Sequence, residues 1–167
     1  GREVAWMRCV DAGQERGGER GVEPTLGGTK REMMEGVGLG DAEGWVVSTA
    51  CSSGLVALID AAIAVAAGQC ERVLVVAADV GDSFIEEGFG ALKAISASGV
   101  CRPFDVRRDG LMLGAGVAGC VVGRLSERSV CEISGFGVSN DAVHMTAPDR
   151  EGRGLARAMT GALDSVG

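Results

Sequence analysis

The chain contains one histidine, no tyrosine, three prolines and only 4% aromatic residues among its 167 positions. With His144 as the single imidazole and no two cysteines in a C-x-x-C pair, a zinc site is hard to assemble, and neither a metal nor a bound cofactor is expected. Positive charge is scarce too: 16 Lys and Arg against 23 Asp and Glu leave a net charge of -7. Such a surface repels a phosphate backbone, and no basic cluster interleaved with aromatics offsets it, so no nucleic acid partner is expected. Long apolar runs are also missing. The longest, Leu55 to Gly68, is interrupted by Asp60 and is shorter than the ~20 residues that cross a bilayer. No basic segment followed by an apolar one opens the chain, which signals neither secretion nor transit. The expectation is therefore a cytoplasmic protein with no membrane association.

The apolar material, 46% of residues, is mostly Ala, Val, Leu and Cys, accompanied by 28 glycines. That composition suits a tightly layered α/β interior, and the length suits one domain or part of a larger one. Six cysteines (Cys9, Cys51, Cys70, Cys101, Cys120 and Cys131) are scattered through segments that mostly read as core, so reduced, buried thiols are expected.

Residues 1–24, with DAGQERGGERG from Asp11 to Gly21, carry little apolar surface and read as a flexible or irregular opening segment. WVVSTA (Trp45 to Ala50) has strand character, and SSGLVALIDAAIAVAA (Ser52 to Ala67) is strongly helix-permissive and stopped by Gly68. ERVLVVAAD (Glu71 to Asp79) is continuous in apolar residues, as buried parallel strands are, so the three segments predict a right-handed βαβ unit. Asp82 to Ile95 reads as helical or irregular and Ser96 to Gly110 as a loop. Gly116 to Leu125 and Val130 to Val138 read as two strands around a turn, Asn140 to Arg150 as a loop, and Gly154 to Leu163 as a short helix.

Cys51 falls at the junction of the first strand and the first helix. A thiol there meets unsatisfied backbone N–H groups and the positive end of the helix dipole, which favour a thiolate nucleophile; the commoner reading of such a position is an inert buried cysteine. Gly114 to Gly119 fits G-x-G-x-x-G, but the CVVGRL that follows is strand-like where a dinucleotide fingerprint needs a helix, so close backbone packing is the better reading. The acidic pairs Glu86 with Glu87 and Asp105 with Asp109 read as solvated groups or as loop braces with Arg102 or Arg108 rather than as acid–base catalysts.

STACSSG (Ser48 to Gly54), CRPFDVRRDGLMLGAG (Cys101 to Gly116) and NDAVHMTAPDREGRG (Asn140 to Gly154) together resemble, in order, three motifs of the β-ketoacyl-acyl-carrier-protein synthases and polyketide ketosynthases. The resemblance runs from about Gly27 to Met159. It implies a thiolase-like layered α-β-α fold, largely the first half only, with residues 25–167 as a partial ketosynthase-like domain. It further implies that Cys51 is the catalytic, acylated residue. Asp141 and His144 would lie on a loop beside the substrate pocket, a surface-loop histidine being the alternative. The expected chemistry is acyl thioester formation for decarboxylative Claisen condensation in fatty acid or polyketide synthesis, with substrates on the phosphopantetheine arm of an acyl carrier protein. The expected assembly is a homodimer, or a pair with a ketosynthase-like partner chain, joined near the strand at Glu71 to Asp79.

The chain departs from the family pattern in several places. Gly27 to Trp45 is compressed, Ala115 stands where an acidic residue is common, and the N-x-H-G-T and G-H-x-x-x-A-x-G motifs that carry the two catalytic histidines are absent from these residues. A non-catalytic ketosynthase-like binding subunit is the alternative function.

Overall fold

The computed structural model describes residues 44–79, 83–144 and 147–166, which fall into two compact units divided between Arg124 and Leu125. The proposed opening segment 1–24 lies outside the described residues. The elements in chain order are α1 (Ser53–Ala66), β1 (Arg72–Asp79), α2 (Ser83–Ala91), β2 (Gly116–Gly123) and α3 (Arg153–Asp164).

Helix α1 follows from its sequence. Ser53, Ala57, Ala61, Ala64 and Val65 recur at helical spacing and are all buried, a stripe of small side chains that lets the helix lie close on the sheet. Gly68, at φ 68°, closes the helix in the left-handed conformation; its N–H bonds to Val65 O while Gln69 N–H bonds to Ala64 O. Opposite the stripe lie Val73 and Val75 of β1, and these residues with Val47 form the hydrophobic core. Val73 is wholly buried, and its burial stabilises the first unit by about 2 kcal/mol.

The sheet differs from the sequence expectation. β1 pairs antiparallel with β2 along its whole length, from Arg72↔Gly123 to Asp79↔Gly116. Residues 45–48 join no ladder, although Val47 is buried, so no parallel βαβ unit forms among the described residues. The continuous apolar run reports that β1 is buried on both faces, at Val73 and Val75 on one and Val76 on the other, and that property is blind to strand direction. The thiols also differ from expectation. None of Cys51, Cys70, Cys101, Cys120 and Cys131 is in a disulfide, but only Cys70 is even half-buried and the other four are exposed. Cys120 shows why: it sits on β2, where only Val122 is partly covered.

In the second unit the segment read as a strand from Val130 to Val138 belongs to no ladder. Its backbone lies directly on α3. A Cβ at Gly135 or Gly137 would overlap backbone atoms of Ala162 or Ala158, so these glycines exist to admit the helix. The polar groups of Phe136 are met by a side chain rather than a neighbouring strand: its N–H donates to Ser165 Oγ at 2.9 Å, and its carbonyl lies 3.2 Å from the same oxygen.

Candidate active site

The turn that carries Cys51 is held almost entirely by its serines. Ser53 Oγ, on a residue only 1% exposed, donates to Ala50 O at 2.6 Å and accepts from Thr49 N–H at 2.8 Å. Ser52 Oγ donates to Thr49 O at 2.8 Å, and the Ser53 backbone N–H reaches Ala50 O at 3.1 Å. Between these anchors Ala50 takes φ 53°, a left-handed conformation costing a residue with a Cβ about 1–2 kcal/mol. The outcome is a sharp reversal that leaves Cys51 exposed two residues before α1 begins, at the positive end of the helix dipole. A Cβ added at Gly54 would meet the Ala77 side chain of β1 at 3.7 Å, so this end of the helix runs close to the strand.

In the same unit a cavity of about 400 Å³ opens among Ser83 and Glu86 of α2, Ile95, and Met112 to Ala115. The loop that follows Ile95 in the chain is tied down by Asp109. That carboxylate accepts from Ser96 Oγ at 2.6 Å and from Ser98 N–H at 2.8 Å, which hold its pKa down to about 2. Arg102 is 3.8 Å away, a weaker contact. Gly110, at φ 153°, packs so tightly under Ser96 that a Cβ would sit 2.6 Å from Ile95 C. Asp105 pairs with Arg107 rather than with Arg102 or the Arg108 guanidinium; the Arg107 side chain and N–H hold its carboxyl below the usual range. Arg108 instead donates to the Asp105 backbone carbonyl. Asp105 and Asp109 thus brace a loop, but chiefly through Arg107 and two serines rather than through the expected Arg102 or Arg108 side chains. Gly114 to Gly119 leads straight into β2 with no helix, which removes the dinucleotide reading.

Asp141 and His144 lie in the second unit. Asp141 Oδ2 accepts from Asp149 N–H at 2.9 Å, and a Cβ at Gly154 would overlap the Asp141 carboxylate, so this side chain is spent inside its own loop. His144 is exposed, with Nδ1 accepting from Ala147 N–H at 3.2 Å. Sequence reasoning missed the strongest link in this loop. Buried Asp149 takes a two-pronged contact from Arg153 at 2.8 and 3.2 Å, which holds its carboxyl below the usual range and ties the loop to the first turn of α3. The i,i+4 spacing of Asp149 and Arg153 was the available signal. Ser53 was missed as well, since a serine inside an alanine stripe looks like any small residue.

Among the described residues no group of His, Cys, Asp and Glu is arranged to hold a metal ion, and no helix is long and apolar enough to cross a membrane.

A helix packed on a strand, with an exposed cysteine on the turn that precedes it, is an α/β arrangement that can present a thiol to a substrate. Residues 42–128 match the family described as beta-ketoacyl synthase, N-terminal domain, and the chain belongs to the β-ketoacyl synthase family. It is 37% identical over 134 residues to 3-oxoacyl-[acyl-carrier-protein] synthase 2 of Vibrio cholerae, covering 72% of this chain and 32% of that protein. It is 38% identical over 133 residues to the tetracenomycin polyketide synthase ketoacyl synthase alpha subunit of Streptomyces glaucescens, covering 72% and 31%. Among solved structures it is similar to a chain in the complex of the ketosynthase ApeO with its chain length factor ApeC from Xenorhabdus doucetiae, at TM-score 0.81 and 27% identity. That match covers 99% of this chain and 45% of the other. A β-ketoacyl synthase from Burkholderia phymatum matches at TM-score 0.73 and 26% identity. The fold is therefore the thiolase-like α/β fold of ketosynthases, and the chain spans about a third of the length of the curated relatives it matches.

Proposed function

We propose that the chain takes part in fatty acid or polyketide synthesis by accepting an acyl group on Cys51, delivered by an acyl carrier protein. The observation that carries this reading is the exposed Cys51 on its serine-bound turn at the start of α1, inside the stretch that matches the family. In the step, Cys51 gives up its thiol proton to solvent and its Sγ attacks the thioester carbonyl, a new C–S bond forms, and the bond to the carrier's phosphopantetheine sulfur breaks. The leaving thiolate takes up a proton from solvent. The helix end faces the negative charge on the attacking sulfur. Decarboxylative Claisen condensation would follow in a complete ketosynthase. That later step requires histidines, and His144 is the one histidine in these 167 residues. Asp141 and His144 are assigned, from the family resemblance, to a substrate-pocket loop whose shape Asp141 helps to keep by accepting from Asp149 N–H.

Incubation of the chain with an acyl carrier protein bearing a medium-length acyl group, followed by peptide mass mapping, tests the reading. An acyl adduct on Cys51 that disappears in Cys51→Ala supports it, and an unmodified Cys51 overturns it. The single histidine favours a second reading, a non-catalytic subunit that pairs with a ketosynthase-like chain. A second copy of this chain is the other expected partner, and the expected location is the cytoplasm. Val75, however, is buried in the core, so association near β1 would use other side chains of the strand or its edge.

A further inference from the structure

The stripe along which α1 packs is built from alanine and valine except at its first position, where Ser53 is as buried as its neighbours. Packing alone gives no reason for a hydroxyl there, because Ala57 and Ala61 fill the same kind of space one and two turns on. A buried hydroxyl needs partners, and Ser53 has two at the opposite ends of one dipeptide: the N–H of Thr49 and the carbonyl of Ala50. The Ser53 N–H takes the same Ala50 carbonyl at 3.1 Å. The Thr49–Ala50 dipeptide is thereby gripped at both ends, with Ala50 in the left-handed conformation that reverses the chain immediately before Cys51.

We infer that Ser53 is the positioning residue for Cys51. Its hydroxyl locks the Thr49–Ala50 turn, and the locked turn holds the thiol outward at the start of α1. This inference rests on the reading of Cys51 as the acyl acceptor, and it adds the residue that sets the geometry of that acceptor. Without the hydroxyl, Ala50 relaxes toward ordinary backbone angles and Cys51 swings away from the helix end.

The test uses the full chain and two reactions at Cys51: alkylation by iodoacetamide, and acylation by a small acyl thioester of N-acetylcysteamine followed as single turnovers. Ser53→Ala is expected to slow both about tenfold, in line with the cost of misplacing a reacting group by a fraction of an ångström. The acylation loss should fall on the maximal rate rather than on the half-saturating thioester concentration. Ser53→Thr, which keeps the hydroxyl, should restore the rates. Ala57→Gly, one turn along the same stripe, separates positioning from stability: it lowers the melting temperature but leaves both Cys51 rates unchanged. Equal rates for Ser53→Ala and Ala57→Gly overturn the inference. Should Ser53→Ala lose its fold, the Thr49 amide of the wild-type chain decides. Hydrogen exchange as slow as in α1 supports the bridge, and exchange as fast as open backbone refutes it. If wild-type Cys51 takes no acyl group but alkylation still separates Ser53→Ala from Ser53→Thr, the acyl-acceptor reading falls while the positioning stands. If wild-type Cys51 is acylated and Ser53→Ala keeps pace with it, the positioning alone falls.

Discussion

Replacing Gly137 by alanine places a methyl group against the backbone of α3, where no flexible side-chain end is present to move aside. The added Cβ would lie 2.7 Å from Ala162 N and 2.9 Å from Ala158 C, and it would overlap the Ala158 carbonyl. Ordinary contact requires about 3.5–4.0 Å, so the helix must retreat by roughly 1 Å. Overpacking of that kind costs about 1–3 kcal/mol. A retreating helix also weakens the hydrogen bond from Phe136 N–H to Ser165 Oγ, worth about another 1 kcal/mol. The expected destabilisation of the second unit is therefore about 3 kcal/mol. Gly88 gives the opposite sign for the same chemical change. It lies within α2 with nothing within 4 Å of a Cβ, so Gly88→Ala removes chain entropy from the unfolded state and stabilises by about 0.5–1 kcal/mol. Urea midpoints by circular dichroism, with hydrogen exchange of the α3 amides read by mass spectrometry, measure both. A Gly137→Ala chain within about 0.5 kcal/mol of wild type, with α3 protection intact, would refute the close approach on which the argument stands.

Val73→Ala should cost the first unit about 2 kcal/mol in the same urea titration, because Val73 is wholly buried in a core of few large side chains. Asp109 predicts an acid limb in stability. Its pKa is held at about 2 against an ordinary 3.8, so its contribution is complete above roughly pH 4 and is lost as pH falls through about 2. Thermal melts between pH 5 and 2 should show a shallower decline in Asp109→Asn than in wild type, with Asp105 and Asp149 supplying part of the slope that remains. Incubation with malonyl-carrier protein should release no carbon dioxide above background from these 167 residues alone, and turnover abolished by Cys51→Ala would contradict the requirement for further histidines.

Local sequence determined the features that depend on near neighbours. The alanine-rich run and Gly68 specify α1 to within a residue of its observed ends, and the apolar run with its charged flanks specifies β1, because helix propensity, capping and burial are all encoded within a few positions. The order of three motifs around Cys51, Asp109 and Asp141 was enough to indicate the family. Tertiary structure decided what depends on contacts distant along the chain. Direction of pairing is one such feature: β1 meets β2 antiparallel across more than thirty intervening residues, and no side-chain pattern records that choice. Val130 to Val138 alternates like a strand yet meets a helix, since Gly135 and Gly137 signal close approach without naming what approaches. Ser53 is the sharpest case. In sequence it is one small residue in a helix-forming run, and only the fold turns its hydroxyl back onto Thr49 and Ala50, where two hydrogen bonds decide the conformation of the residue before the thiol.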